Sequence, residues 1–62
     1  MNDVEKAILL LIRDKPLSVN EIYLALNKTH NFSERIVKEN LLNLRERYII
    51  KPNRLWKMCL TE

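Results

Sequence analysis

SERIVKENLLNLRERY, residues Ser33 to Tyr48, reads as one amphipathic helix. Val37, Leu41, Leu44 and Tyr48 recur at three- and four-residue spacing, which puts them on a single stripe that must face a core. Arg35, Lys38, Glu39, Leu42 and Glu46 fall on the opposite side, open to a partner. Working outward, a helix and a turn precede this segment, and a β-branched pair, a Pro-Asn turn and an alternating run follow it. The expected class is mainly α with a small antiparallel β-hairpin, an α+β domain in the order α-β-α-α-β-β.

The 62 residues allow one domain, and a chain of that size buries only about 60% of the surface its unfolded form exposes. Its core must be small. No apolar run is long enough to span a bilayer; the longest, Ala7 to Ile12, is followed by no small-residue cleavage site. The chain therefore reads as intracellular, with the cytoplasm as its expected location. The single cysteine, Cys59, has no partner for an internal disulfide, in keeping with a reducing compartment. Charge is unevenly placed: residues 1 to 32 sum to zero, 33 to 48 carry +1 and 49 to 62 carry +2. A basic excess on one half is the footprint expected of a nucleic-acid partner. The chain has no glycine, so its connections must be built from Asn, Pro and Ser, and a Gly-rich phosphate loop is excluded.

Before the central helix, Asn2 or Asp3 can cap a first helix whose stripe is Val4, Ala7, Ile8, Leu11 and Ile12. Lys15 and Pro16 end it, because the residue before proline is pushed out of the helical region. Leu9 and Leu10 lie off that stripe. Either the C-terminal strands wrap over them or they form a self-association surface. Leu17 provides a very short strand, and Ser18 with Glu21 fits a capping box that starts a second helix at Val19. Val19, Ile22, Tyr23 and Leu26 form its stripe, with Ala25 beside it and Leu24 pointing away. This helix is expected to fade at Asn27 and Lys28, leaving Thr29, His30, Asn31 and Phe32 as the turn, with Phe32 as a core plug. Asn31 and Ser33 compete for the next N-cap.

After Tyr48 the period changes. Ile49 and Ile50 are β-branched, Lys51 to Arg54 reads as a turn with Pro52 at its second position, and Leu55 to Leu60 runs as a strand. Trp56 and Met58 are expected to face inward, although both faces of that strand hold apolar residues. Leu17 would complete a three-stranded antiparallel sheet.

Leu17, Ser18, Val19 and Ile22 leading the second helix, Ser33 with Val37, Leu41 and Leu44 in the third, then Ile49, Ile50 and the hairpin, together resemble winged helix-turn-helix domains of the DNA-binding kind. The resemblance covers essentially the whole chain. It implies a transcriptional regulator that inserts its third helix in the major groove of double-stranded DNA and rests a short wing, residues 49 to 60, on the backbone. Such domains often end the third helix on Gly. This chain has Arg47 and Tyr48 there, so its helix exit must strain a non-Gly residue or avoid the left-handed conformation. A narrower similarity, Pro52 and Trp56 to the proline and tryptophan wing of Z-alpha domains, implies binding of Z-form nucleic acid. Lys38 and Leu42 stand where that family has its Asn and Tyr, so the match fails on the helix.

On B-form DNA the exposed helix face offers Ser33, Arg35, Lys38, Glu39 and Leu42. Arg35 is the natural bidentate reader of guanine, Lys38 reads a base or holds a phosphate, and Leu42 suits a thymine methyl. Lys28 and His30 in the turn, with Lys51, Arg54 and Lys57 in the wing, are placed to grip sugar and phosphate. The same face also reads as ordinary solvated helix, since Glu34 with Lys38 and Arg35 with Glu39 are ion pairs at helical spacing. Leu9, Leu10, Leu24 and Leu42 point to a second reading, a protein-interaction module. A homodimer through Leu9 and Leu10 would unite the two readings, placing paired helices on a palindromic site. Catalysis, cofactor and metal binding are not expected: one His and one Cys, far apart, lack metal-ligand spacing, and the carboxylates are taken by caps and ion pairs.

Overall fold

Asn2 supplies the first start signal. Its side chain accepts the Glu5 backbone N–H at 2.8 Å while the Glu5 carboxylate accepts the Asn2 N–H at 3.3 Å, a reciprocal capping box. The helix so opened, α1, spans Asp3–Asp14 and ends at Lys15, which is extended as its following proline requires. The structure, a computed structural model, describes residues 2–61. Strand β1 is Leu17–Ser18, and Ser18 then caps α2, Val19–His30, through a second reciprocal box with Glu21. Ser33 wins the next cap, accepting the Ile36 N–H at 3.3 Å, and α3 spans Glu34–Glu46. Strands β2, Ile50–Pro52, and β3, Lys57–Leu60, close the chain.

The order is thus α-β-α-α-β-β, three helices and a small antiparallel sheet. Strand β3 lies in the middle of that sheet, pairing Leu17 with Met58 on one side and Ile50 with Leu60 on the other. The core collects one stripe from each helix: Ala7, Ile8 and Ile12, then Ile22 and Leu26, then Val37, Leu41 and Leu44, with Ile50 and Met58 from the sheet. Val4, Leu11, Val19, Tyr23 and Phe32 pack around its edge. Leu9 also packs there, half-buried, which corrects its reading as an exposed leucine, whereas Leu10 remains 58% exposed.

Several local expectations change for identifiable reasons. Helix α2 does not fade at Asn27 and Lys28 but continues to His30, because Asn31 adopts the left-handed conformation (φ 59°) and donates its N–H back to Asn27 O. Asparagine tolerates that region better than most residues. Lys28, Thr29 and His30 are therefore helical and not part of the turn. Helix α3 stops short of Tyr48. Tyr48 takes φ 59° and donates to Arg45 O at 3.0 Å, and Ile49 donates to Leu44 O at 3.0 Å, the Schellman pattern that usually has Gly at this place. Tyr48 is 82% exposed and off the core stripe, and Ile50 enters the core in its stead.

The hairpin turn is Asn53 to Trp56, two residues later than the sequence suggests, with Pro52 inside β2. Trp56 donates to Asn53 O at 3.0 Å and itself has φ 61°. A turn followed by a left-handed residue is a common hairpin closure, again usually built with Gly. Trp56 accordingly does not face inward with Met58; it is 73% exposed while Met58 is buried.

Glu5 has no counterpart in the sequence reading. It is only 5% exposed, and its carboxylate accepts from Arg47 Nη2, 42 positions away in the chain, while Asn2 Nδ2 donates to Asn40 Oδ1 at 2.9 Å. These contacts bind the start of α1 to α3 and its exit.

The left-handed position of Tyr48 generates a test. A non-Gly residue there carries about 1 to 2 kcal/mol of strain, and Gly returns part of that gain as unfolded-state entropy. Tyr48→Gly is expected to raise stability by up to about 1 kcal/mol in urea denaturation, whereas Tyr48→Val, β-branched, should lower it.

Candidate nucleic-acid interface

Because Val37, Leu41 and Leu44 turn inward, α3 turns Arg35, Lys38, Glu39 and Leu42 outward, and all four are exposed, as is the capping Ser33. The cations on this face already have carboxylate neighbours. Arg35 Nε lies 3.1 Å from Glu39 Oε1, and Lys38 Nζ lies 3.4 Å from Glu34 Oε1. Exposed pairs of this sort contribute about 0.3 to 0.5 kcal/mol and exchange readily for another anion. Ser33 is occupied differently, since its hydroxyl caps α3.

One flank of α3 forms a shallow groove of about 250 Å³ lined by Val19, Lys38, Leu41, Leu42, Arg45 and Met58. It joins α3 to the start of α2 and to β3, so Met58, at the turn end of β3, stands beside this flank of the helix. Lys38 and Leu42 are thereby brought together with Arg45, which the sequence reading passed over. Arg45 is seven residues beyond Lys38, two helical turns along the same flank, and that spacing was the available signal. It is exposed and in no ion pair among the described residues.

On the hairpin, Lys51 and Arg54 are exposed and in no ion pair among the described residues. Lys57 is half-buried, with its Nζ 3.9 Å from Glu21 Oε1. Glu21 titrates below the usual glutamate value chiefly because the Ser18 backbone N–H donates to its carboxylate; Lys57 and Lys15 assist through their charge. Cys59, also half-buried, donates its thiol to Lys51 O at 3.5 Å across the β2–β3 pair.

Lys28 and His30 stand apart from this grouping. Both are exposed on the last turn of α2, where cations complement the helix dipole. Thr29 Oγ1 donates to Ala25 O at 2.8 Å, which leaves it to accept from His30 Nδ1 at 2.8 Å. The imidazole stacks on Phe32, with ring centroids 5.1 Å apart. His30 lines a different groove, of about 530 Å³ between α1 and α2, with Leu10, Leu11, Leu26 and Phe32. Among the described residues no three His, Cys, Asp or Glu side chains gather as a metal site, and no helix is long and apolar enough to cross a membrane.

No family model, curated protein or solved structure matches the chain.

A carboxyl NMR titration checks the Glu21 cap. Its folded pKa is depressed, so the stability it contributes is present above the unfolded glutamate pKa and is lost as pH falls through the folded one. Glu21 should titrate below the ordinary glutamate value, and Lys57→Ala should move it up only slightly, because the Ser18 N–H remains.

Proposed function

We infer that this chain is a winged helix-turn-helix domain that binds double-stranded DNA, with α3 in the major groove and the β2–β3 hairpin as a short wing on the backbone. The observation that carries this reading is the charge of the hairpin: from Arg47 to Thr61 the chain holds Arg47, Lys51, Arg54 and Lys57 and no acidic residue. Arg47 is turned to Glu5, Lys51 and Arg54 are exposed with no ion pair among the described residues, and Lys57 directly precedes Met58, which lines the groove along α3. The element order and the three-stranded antiparallel sheet also support it, since they agree with what the family resemblance implies. In this reading Lys51, Arg54 and Lys57 hold phosphates and set register, and Arg35, Lys38 and Arg45 work from α3. Arg35 reaches a base by exchanging Glu39 for the guanine edge, and Leu42 meets an apolar group such as a thymine methyl. A role in transcription regulation follows from the resemblance, and a place in the cytoplasm from the sequence reading; both are part of the proposal.

Anisotropy of a labelled random-sequence duplex tests it. Affinity should fall steeply with salt, by about 0.9 log units per log unit of salt for each neutralised phosphate, and Lys51→Ala with Arg54→Ala should flatten that slope by about two phosphates. Absence of binding even at low salt overturns the reading.

The exposed leucines support a homodimer as part of the same proposal. Leu10 stands between two apolar grooves, the one with Phe32 and a second of about 410 Å³ lined by Lys6, Leu9, Arg13 and Leu60. An antiparallel pairing of two α1 helices about Leu10 puts Lys6 four positions before it opposite the partner's Asp14 four positions after it, a self-complementary arrangement. Sedimentation should find a dimer that Leu10→Asp converts to a folded monomer. A monomer at every concentration tested removes this part of the proposal, and the DNA reading then concerns a single domain.

A further inference from the structure

The tip of the basic hairpin is apolar. Leu55 and Trp56 are each 73% exposed, directly after Arg54 and before Lys57, whose ammonium lies 3.9 Å from Glu21 Oε1. The tip is firmly built. Asn53 Oδ1 accepts the N–H groups of Leu55 at 2.9 Å and Lys57 at 3.0 Å, and Asn53 N–H donates to Lys57 O at 2.8 Å. Trp56 is thus presented to solvent by a closed hydrogen-bonded turn, on a left-handed backbone that disfavours a bulky residue (φ 61°). Exposure of an indole and backbone strain at one position both oppose folding, and burial within the chain compensates neither. Features of this kind concentrate where a ligand is gripped.

Resting on the nucleic-acid reading above, we propose that Trp56, backed by Leu55, is a base-stacking wedge. The hairpin cations hold the sugar-phosphate backbone, and the indole lies on a nucleobase at an unpaired or easily opened step. Every base offers a π-face, so stacking is tolerant of sequence, but the energy needed to open a step is not, and flexible pyrimidine-purine steps are favoured. Apolar side chains inserted between base steps bend the duplex, which brings more of its backbone to the cations. A basic surface with an exposed Trp also suits an anionic lipid surface, which recognises the same two features. The placement of Lys38 and Arg45 on the α3 flank adjoining β3 favours the polyanionic duplex, because it continues the cationic surface away from the tip, where a lipid anchor needs a broader apolar face.

Trp56 is the only tryptophan in the chain, so its emission reports on this contact alone. Binding is read separately by anisotropy of a labelled duplex, either fully paired or with one unpaired step at its centre. The expected result is quenching of Trp56 at saturation, stronger with the unpaired step. Trp56→Gly, which removes the indole and relaxes the backbone, should weaken binding about tenfold with its salt slope unchanged, and Trp56→Phe should retain most of the affinity. Saturable binding with Trp56 emission unchanged, or Trp56→Gly binding like the parent, overturns the wedge and leaves DNA binding intact. No anisotropy change at low salt overturns both. Blue-shifted emission with anionic phospholipid vesicles and none with either duplex overturns the wedge in favour of a membrane surface.

Discussion

The burial of Val37, Leu41 and Leu44 is the constraint on which the remaining structure depends. Their stripe meets Ile8 and Ile12 of α1, Ile22 and Leu26 of α2, and Ile50 of β2 in a single core. A chain this short has no second core to fall back on. Turning that stripe inward has two consequences at once: it closes the domain, and it commits Arg35, Lys38, Glu39 and Leu42 to solvent. The face proposed to meet DNA is thus a by-product of packing, set by the 3.6-residue period of one helix.

The hairpin depends on the same core at one remove. Two antiparallel strands alone are marginal in water. Here β1 contributes a third strand, and Ile50 and Met58 send two side chains inward. Those anchors suffice to hold a turn that otherwise carries cations and an exposed indole. The Glu5–Arg47 pair acts at the opposite side, tying the first turn of α1 to the residue that follows α3. Removing Arg47 leaves the buried Glu5 carboxylate without its partner, whereas removing Glu5 leaves Arg47 open to water, so the loss of Arg47 is the costlier of the two.

The lack of glycine leaves its mark at each end of these elements. Asn31, Tyr48 and Trp56 all occupy the left-handed region that Gly would fill at no steric cost. At Asn31 the side chain tolerates it, and at Tyr48 two Schellman hydrogen bonds compensate. Trp56 is held by the Asn53 turn, and its indole is left outside. The same backbone solution therefore has different surface consequences at each site: Asn31 presents a polar side chain, whereas Tyr48 and Trp56 each present an aromatic ring to solvent, Trp56 at the tip of the basic hairpin.

The chain by itself determined the three helices, their order, the Ser18 cap, the ion pairs of α3 and the outward placement of Arg35, Lys38 and Leu42, and it narrowed the cap of α3 to Asn31 or Ser33. Periodicity and capping act within one or two turns, so they are present in any short window of sequence. It also placed the basic excess in the C-terminal part. What tertiary structure decided lies at the ends of elements and across long separations. Whether Tyr48 or Ile50 enters the core depends on where α3 stops, and Trp56 and Met58 sit on a strand with apolar residues on both faces, so pattern alone leaves the register of the turn open. The pairing of Glu5 with Arg47, the half-burial of Leu9, and the meeting of Arg45 with Met58 across one groove have no local signal. They exist because a single small core draws together segments far apart in the chain, and that choice of neighbours is made only when the whole domain closes.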